Sequence, residues 1–88
     1  MITARQSRAA RALLNWTQET LADEARVSLT ALKRLESENG LDVYESTRDQ
    51  VRRALEAAGI VLLSTAKGEG VLLLHEAADE DNAKPARR

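Results

Sequence analysis

Apolar residues recur at helical spacing through the first two-thirds of the chain and then stop doing so. Thr3 is placed to cap a first helix, and the arginine- and alanine-rich stretch through Leu14 supports one by propensity. Ala10, Leu13 and Leu14 fall on one face of it. Asn15-Trp16-Thr17 interrupts the pattern, and Thr17 is a natural N-cap for a second helix, Gln18 to Ala25, whose apolar stripe is Leu21, Ala22 and Ala25. Arg26-Val27 has room only for a tight turn. Ser28 then caps a third helix with Ala31, Leu32 and Leu35 spaced to face inward, and Glu38-Asn39-Gly40 closes it. The loop from Leu41 to Glu45 tucks Val43 or Tyr44 against the core. Ser46 or Thr47 starts a fourth helix, with Asp49 in its first turn and Val51, Ala54, Leu55 and Ala58 on its buried face; Gly59 ends it.

Beyond Gly59 the helical period is lost. Ile60-Val61-Leu62-Leu63 and Val71-Leu72-Leu73-Leu74 are short apolar runs around a glycine-bearing loop, Ser64 to Gly70, and this order predicts a β-hairpin. A strand buried on one face alternates; these runs do not, so they ask for cover on both faces, and four short helices can cover one. A two-fold dimer in which two hairpins meet supplies the rest, with Val61, Leu63, Val71, Leu72, Leu73 and Leu74 as its interface. The alternative is a hairpin that folds back on its own helices. From Glu76 the chain is polar and charged, without apolar periodicity, and reads as a disordered tail. The fold class is therefore mainly α: a four-helix domain over residues 1–59, a hairpin over 60–75 and a tail over 76–88.

With 88 residues the chain makes one domain and buries only roughly 60% of its unfolded surface. It has no cysteine, which removes disulfides and thiolate metal sites. No apolar run approaches the ~20 residues of a membrane span, and Met1-Ile2-Thr3-Ala4-Arg5 does not open like a secretory signal. The expectation is a soluble protein of the bacterial or phage cytoplasm, with no cofactor and no metal. His75 is the one histidine and is expected at a strand end on the surface. Asp79, Glu80 and Asp81 form a solvated run, Lys67-Gly68-Glu69-Gly70 is a hairpin turn, and Trp16 is a core residue between the first two helices. No Ser/His/Asp or Cys/His set exists, so an enzyme is not expected. The net charge is −1, yet from Met1 to Leu35 six basic residues face three acidic ones. A locally basic face matters more for a polyanion than the whole-chain sum. Arg5, Arg8, Arg52 and Arg53 are expected to be solvated, Arg5 and Arg8 with some chance of touching phosphate.

Two short helices joined by a tight turn, the second with polar residues outward, form the helix-turn-helix pattern. The run from Gln18 to Glu36 resembles the Xre/Cro family of lambda-repressor-like DNA-binding domains, with Gln18, Ala22, Val27, Ser28, Leu32 and Glu36 in register. The resemblance covers roughly Thr3 to Ala58. It implies that Leu29, Thr30 and Arg34 read base edges, that Gln18, Ser28, Lys33 and Arg26 lie at phosphates, and that Arg11 pairs with Glu36. Arg26 departs from the family, which usually carries glycine in this turn; a left-handed conformation there costs an arginine roughly 1–2 kcal/mol. The implied protein is a homodimeric transcription regulator, a repressor, on a pseudo-palindromic double-stranded operator with half-sites about 10 bp apart. A regulatory protein partner is possible in this setting. The alternative is an antitoxin- or antiactivator-type module whose hairpin and tail hold a partner protein.

Overall fold

Local capping delimits the first three helices. In the computed structural model, which describes residues 1–37 and 42–75, α1 spans Ala4–Leu14, α2 Gln18–Ala25 and α3 Leu29–Glu36. At α1 the Thr3 hydroxyl accepts from the Gln6 amide and Gln6 Oε1 accepts from the Thr3 amide, a reciprocal capping box. Asn15 ends α1 in the left-handed region, which asparagine tolerates. Thr17 and Ser28 cap α2 and α3 through their hydroxyls, each accepting an N–H at 3.0 Å. α3 ends at Glu36 with Ser37 in extended conformation; the expected stop at Glu38-Asn39-Gly40 lies outside the described residues, as does the tail from Glu76, including Asp79, Glu80 and Asp81.

The fourth helix departs from expectation. α4 spans Glu45–Ala57 with Tyr44 as N-cap and no side-chain cap, so it starts ahead of Ser46 and Thr47. The Tyr44 carbonyl accepts from the Thr47 and Arg48 amides, and the Thr47 side chain is buried in the first turn rather than turned to the helix end. Val43 packs on the core, and Tyr44 is exposed.

The core comprises Ala10 of α1, Leu21, Ala22 and Ala25 of α2, Leu32 and Leu35 of α3, Val51 and Leu55 of α4, together with Ile2 and Ile60. Trp16 packs partly buried against it, as expected; Leu13, expected inward beside Ala10 and Leu14, is exposed. Ile2 precedes any helix yet is buried, and its carbonyl accepts from Arg48 Nη1, so the N-terminus is fixed on α4. Burial of such a side chain contributes about 1.5–3 kcal/mol.

Gly59, at φ 101°, turns the chain from α4 into the hairpin, a conformation that favours glycine. Strands β1 (Ile60–Thr65) and β2 (Gly68–Leu73) pair antiparallel with Ile60 opposite Leu73 and Thr65 opposite Gly68. The expected long loop is thus a two-residue turn, Ala66-Lys67: Ser64, Thr65 and Gly68 to Gly70 are strand, and the Thr65 hydroxyl accepts the Lys67 and Gly68 amides to hold the reversal. The hairpin packs on α1 and α4, whereas α3 packs on α1, α2 and α4. Cross-strand partners share a face. Ile60, Leu62, Val71 and Leu73 therefore form the inner face and pack on the core, while Val61, Leu63 and Leu72 form the outer one. The hairpin does fold back on its own helices with one face. Val71 and Leu73, expected at a dimer interface, are covered by the chain's own core; the uninterrupted apolar runs hid a strict alternation of sides.

Gln6 joins helix to hairpin. Buried at 3% exposure, it donates its two amide hydrogens to the carbonyls of Leu63 and Gly70, a cross-strand pair, at 2.9 and 3.1 Å. Among the described residues no helix is long and apolar enough to cross a membrane, and no group of three or more His, Asp or Glu side chains is placed to hold a metal.

Candidate functional site

The segment singled out in the sequence, Gln18 to Glu36, folds as α2, a tight turn and α3. The turn is made by the backbone of Arg26, left-handed at φ 60° and ψ 43°, whose N–H reaches the Ala22 and Asp23 carbonyls. Val27 follows with its N–H on the Ala22 carbonyl at 3.0 Å and its side chain packed on the core. Arg26 therefore holds a strained conformation where glycine fits without penalty. Arg26→Gly is expected to stabilise the fold by about 1 kcal/mol despite glycine's greater freedom when unfolded, read as a higher urea midpoint at unchanged slope.

A buried carboxylate sets where α3 lies. Glu36, 5% exposed, accepts from Ser7 Oγ at 2.5 Å, from Arg11 Nε and Nη2 at 3.0 and 2.8 Å, and from Gln18 Nε2 at 3.0 Å. Those donors come from α1 and α2, so one carboxylate ties three helices. Arg8 Nη1 adds a bond to the Glu36 carbonyl at 2.6 Å. Burial pushes the Glu36 carboxyl upward, but the hydrogen bonds from Arg11, Ser7 and Gln18 and the Arg11 charge outweigh it, and the group sits below its ordinary value of 4.5. The expected Arg11–Glu36 pair is formed, and it is a network rather than a pair. Ser7 and Gln6 were not singled out in the sequence, although Gln6, three residues after Thr3, completes a readable capping-box pattern.

The outward surface of α3 carries Thr30, Lys33 and Arg34, all exposed, with Ser28 and Arg26 exposed just before it. Thr30 lies three and four residues before Lys33 and Arg34, so the three share one face. Leu29 differs: it is half-buried, with one side packed against the core and the other lining a recess at the surface. Gln18 also differs, because its half-buried side-chain amide donates one N–H to Glu36.

The cations divide sharply. Arg5 pairs with Glu69, Arg8 and Arg11 with Glu36, Arg48 with the Ile2 carbonyl, Arg52 with Asp49 and Glu56, and Arg53 with Asp49. Of the arginines expected to be solvated, Arg5 and Arg53 are largely exposed as well as paired, at 74% and 72%, and Arg8 and Arg52 are half-buried. Among the described residues, the basic side chains without such a partner are Lys67 at the hairpin turn and Arg26, Lys33 and Arg34, the last three gathered on the turn and outward face of α3.

A groove of about 550 Å³ runs along one flank of this face, with Ser28, Thr30, Ala31 and Arg34 on one wall and Asp42, Val43, Tyr44 and Thr47 on the other. On the opposite flank a smaller recess is lined by Thr17, Gln18, Glu19, Leu29 and Lys33. α3 is thus a ridge standing between two depressions. Compared with protein-family models, curated proteins and solved structures, the chain finds no match in any of the three.

Proposed function

We propose that this chain is a sequence-specific DNA-binding transcription regulator, a repressor, in which α2 and α3 act as a helix-turn-helix and α3 enters the major groove of double-stranded DNA. The observation that carries this reading is the separation of cations. Six arginines contact the protein's own acceptors, while Arg26 in the turn and Lys33 and Arg34 on the outward face of α3 have no such partner among the described residues. Unpaired guanidinium and ammonium groups on a protruding helix suit phosphates and base edges. Thr30 and Arg34, exposed in the same row, are the base readers; Arg34 offers the two-pronged donor that matches guanine. Leu29, half-buried at the base of the ridge, meets DNA with only its free side. Arg26 and Lys33 face the backbone, and Ser28 and Gln18, at the helix starts beside them, place amide N–H groups near it. The buried Glu36 network holds the ridge at a fixed angle to α1 and α2.

A mobility-shift titration on the chain's own upstream DNA tests this. Binding should saturate, and log K should fall against log salt with a slope of about −2 per chain, from the two backbone-facing cations at about 0.9 each. Binding that ignores salt, or none at low salt, would sink the reading and favour a module that holds a partner protein.

A further inference from the structure

The hairpin distributes polarity the wrong way round for a monomer. Its distal inner face, beside α1, carries Ser64 and Glu69, and Glu69 accepts from the Thr3 hydroxyl and pairs with Arg5. Its outer face carries Val61, Leu63 and Leu72, with Thr65 beside the turn and no charged side chain at any position of this face. Leu74 continues this side, its N–H on the Gly59 carbonyl. Leu63, Leu72 and Leu74 are 45%, 49% and 40% exposed. The other two positions of the face on β2 are Gly68 and Gly70. Neither has a positive φ, and a side chain at either would meet nothing within 4 Å. Neither backbone strain nor crowding within the chain calls for glycine there. A glycine inside a strand weakens it and often marks a bulge, a tight bend or the close approach of a ligand or another backbone, and the unbroken register here leaves no bulge.

From this we infer that a second copy of this chain docks on the outer hairpin face, about a two-fold axis that seats Leu63 of each copy in the hollow over Gly70 of the other. Residues 76–88 contain no apolar side chain larger than alanine and proline, and residues 38–41 contain one leucine, so neither segment has an apolar stripe to match this one. A face without charge meets its own image without repulsion, and a protruding leucine opposite a glycine is complementary to itself under two-fold rotation. The stripe is small beside the ~800 Å² per partner of a standard interface, so the dimer is weak, with a micromolar dissociation constant. Because the hairpin packs on α1 and α4, this contact leaves both α3 ridges free. The self-association stands on the hairpin alone; its consequence, two ridges on an inverted repeat, rests on the function proposed above.

Sedimentation equilibrium without DNA tests it, so failure here is separate from failure to bind DNA. Between about 1 and about 300 µM the wild-type mass should rise from 9.7 kDa toward twice that value. Leu72→Asp should remain at monomer mass, while Leu13→Ser, which removes an exposed leucine from α1, should dimerise like wild type. Gly70→Val is the sharper variant and guards against a Leu72→Asp chain that does not fold. It fits the monomer, raises strand propensity and adds apolar area, yet it fills the hollow and should weaken the dimer about tenfold or more. A wild-type chain that stays monomeric throughout overturns the inference, including the case where another protein uses this face. Unchanged or tighter dimerisation of Gly70→Val overturns it as well, because that is how undirected stickiness behaves.

Discussion

Glu36→Ala is expected to cost about 3–5 kcal/mol, the largest loss of any single truncation on the α3 face. The substitution removes one carboxylate but strands several donors. Arg11 keeps its charge with only 20% of its side chain exposed, and Ser7 and Gln18 lose the acceptor they share. A domain of this size has about 0.05–0.15 kcal/mol of stability per residue, so the loss takes a large part of the total. Urea unfolding followed by circular dichroism measures it. Pairing Glu36→Leu with Arg11→Leu should recover much of the deficit, since replacing both charges leaves no buried ion behind. A loss below about 1 kcal/mol for Glu36→Ala would mean that the network does not hold α3 in place.

The same group sets a pH dependence with a definite sign. Its folded value lies below the ordinary 4.5, so in the window between the two the unfolded chain binds a proton that the folded chain does not. The Glu36 contribution is therefore fully present above about pH 4.5 and is lost as the pH falls through the folded value. Asp49, held low first by its hydrogen bond from Arg52, acts in the same direction. The diagnostic is a difference: the wild-type stability curve should fall more steeply on acidification than that of Glu36→Ala.

Arg34→Ala is expected to leave stability nearly unchanged and to weaken specific DNA binding by about 1–3 kcal/mol per half-site, roughly 5- to 150-fold. The two halves of this expectation come from one fact, that Arg34 has no ion pair or hydrogen-bonding partner among the described residues and so has nothing within the fold to lose. The loss should be confined to one operator position, visible as relaxed preference there. Lys33→Ala should behave differently, weakening all sequences alike and reducing the salt slope by about 1. Arg34→Lys should fall nearer to alanine than to arginine, because an ammonium cannot match two acceptors at once. If Arg34→Ala leaves the specific affinity intact, Arg34 is not a base reader.

Local signals were strong along the first half of the chain. Thr3, Thr17 and Ser28 each combine a side-chain oxygen with a following apolar stripe, and each caps a helix as its position suggests. Hairpin existence followed from two apolar runs around glycines. Local reading failed where a side chain answers to distant partners. Thr47 is spent on packing, so α4 starts from Tyr44 without a side-chain cap. Leu29 looked free because helical spacing points it outward, yet it is half-buried. Gln18 opens a helix and so reads as a phosphate donor; its side-chain amide also donates to a carboxylate eighteen residues later, a contact no local pattern shows.

What the sequence by itself determined is the set of short-range choices: caps, the tight turn at Arg26, the stripes that make Leu21, Leu32, Leu35, Val51 and Leu55 inward, and the place where helix gives way to strand. These depend on residues within a turn or two of one another, so composition and spacing contain them. The tertiary structure decided which polar groups are free. It bound Arg5, Arg8, Arg11, Arg48, Arg52 and Arg53 to protein acceptors and left Arg26, Lys33 and Arg34 without any among the described residues. It also resolved Ile60–Leu63 and Val71–Leu74 into two faces, one covered and one bare. Both outcomes depend on what lies across space from a side chain, and a run of identical leucines cannot carry that information.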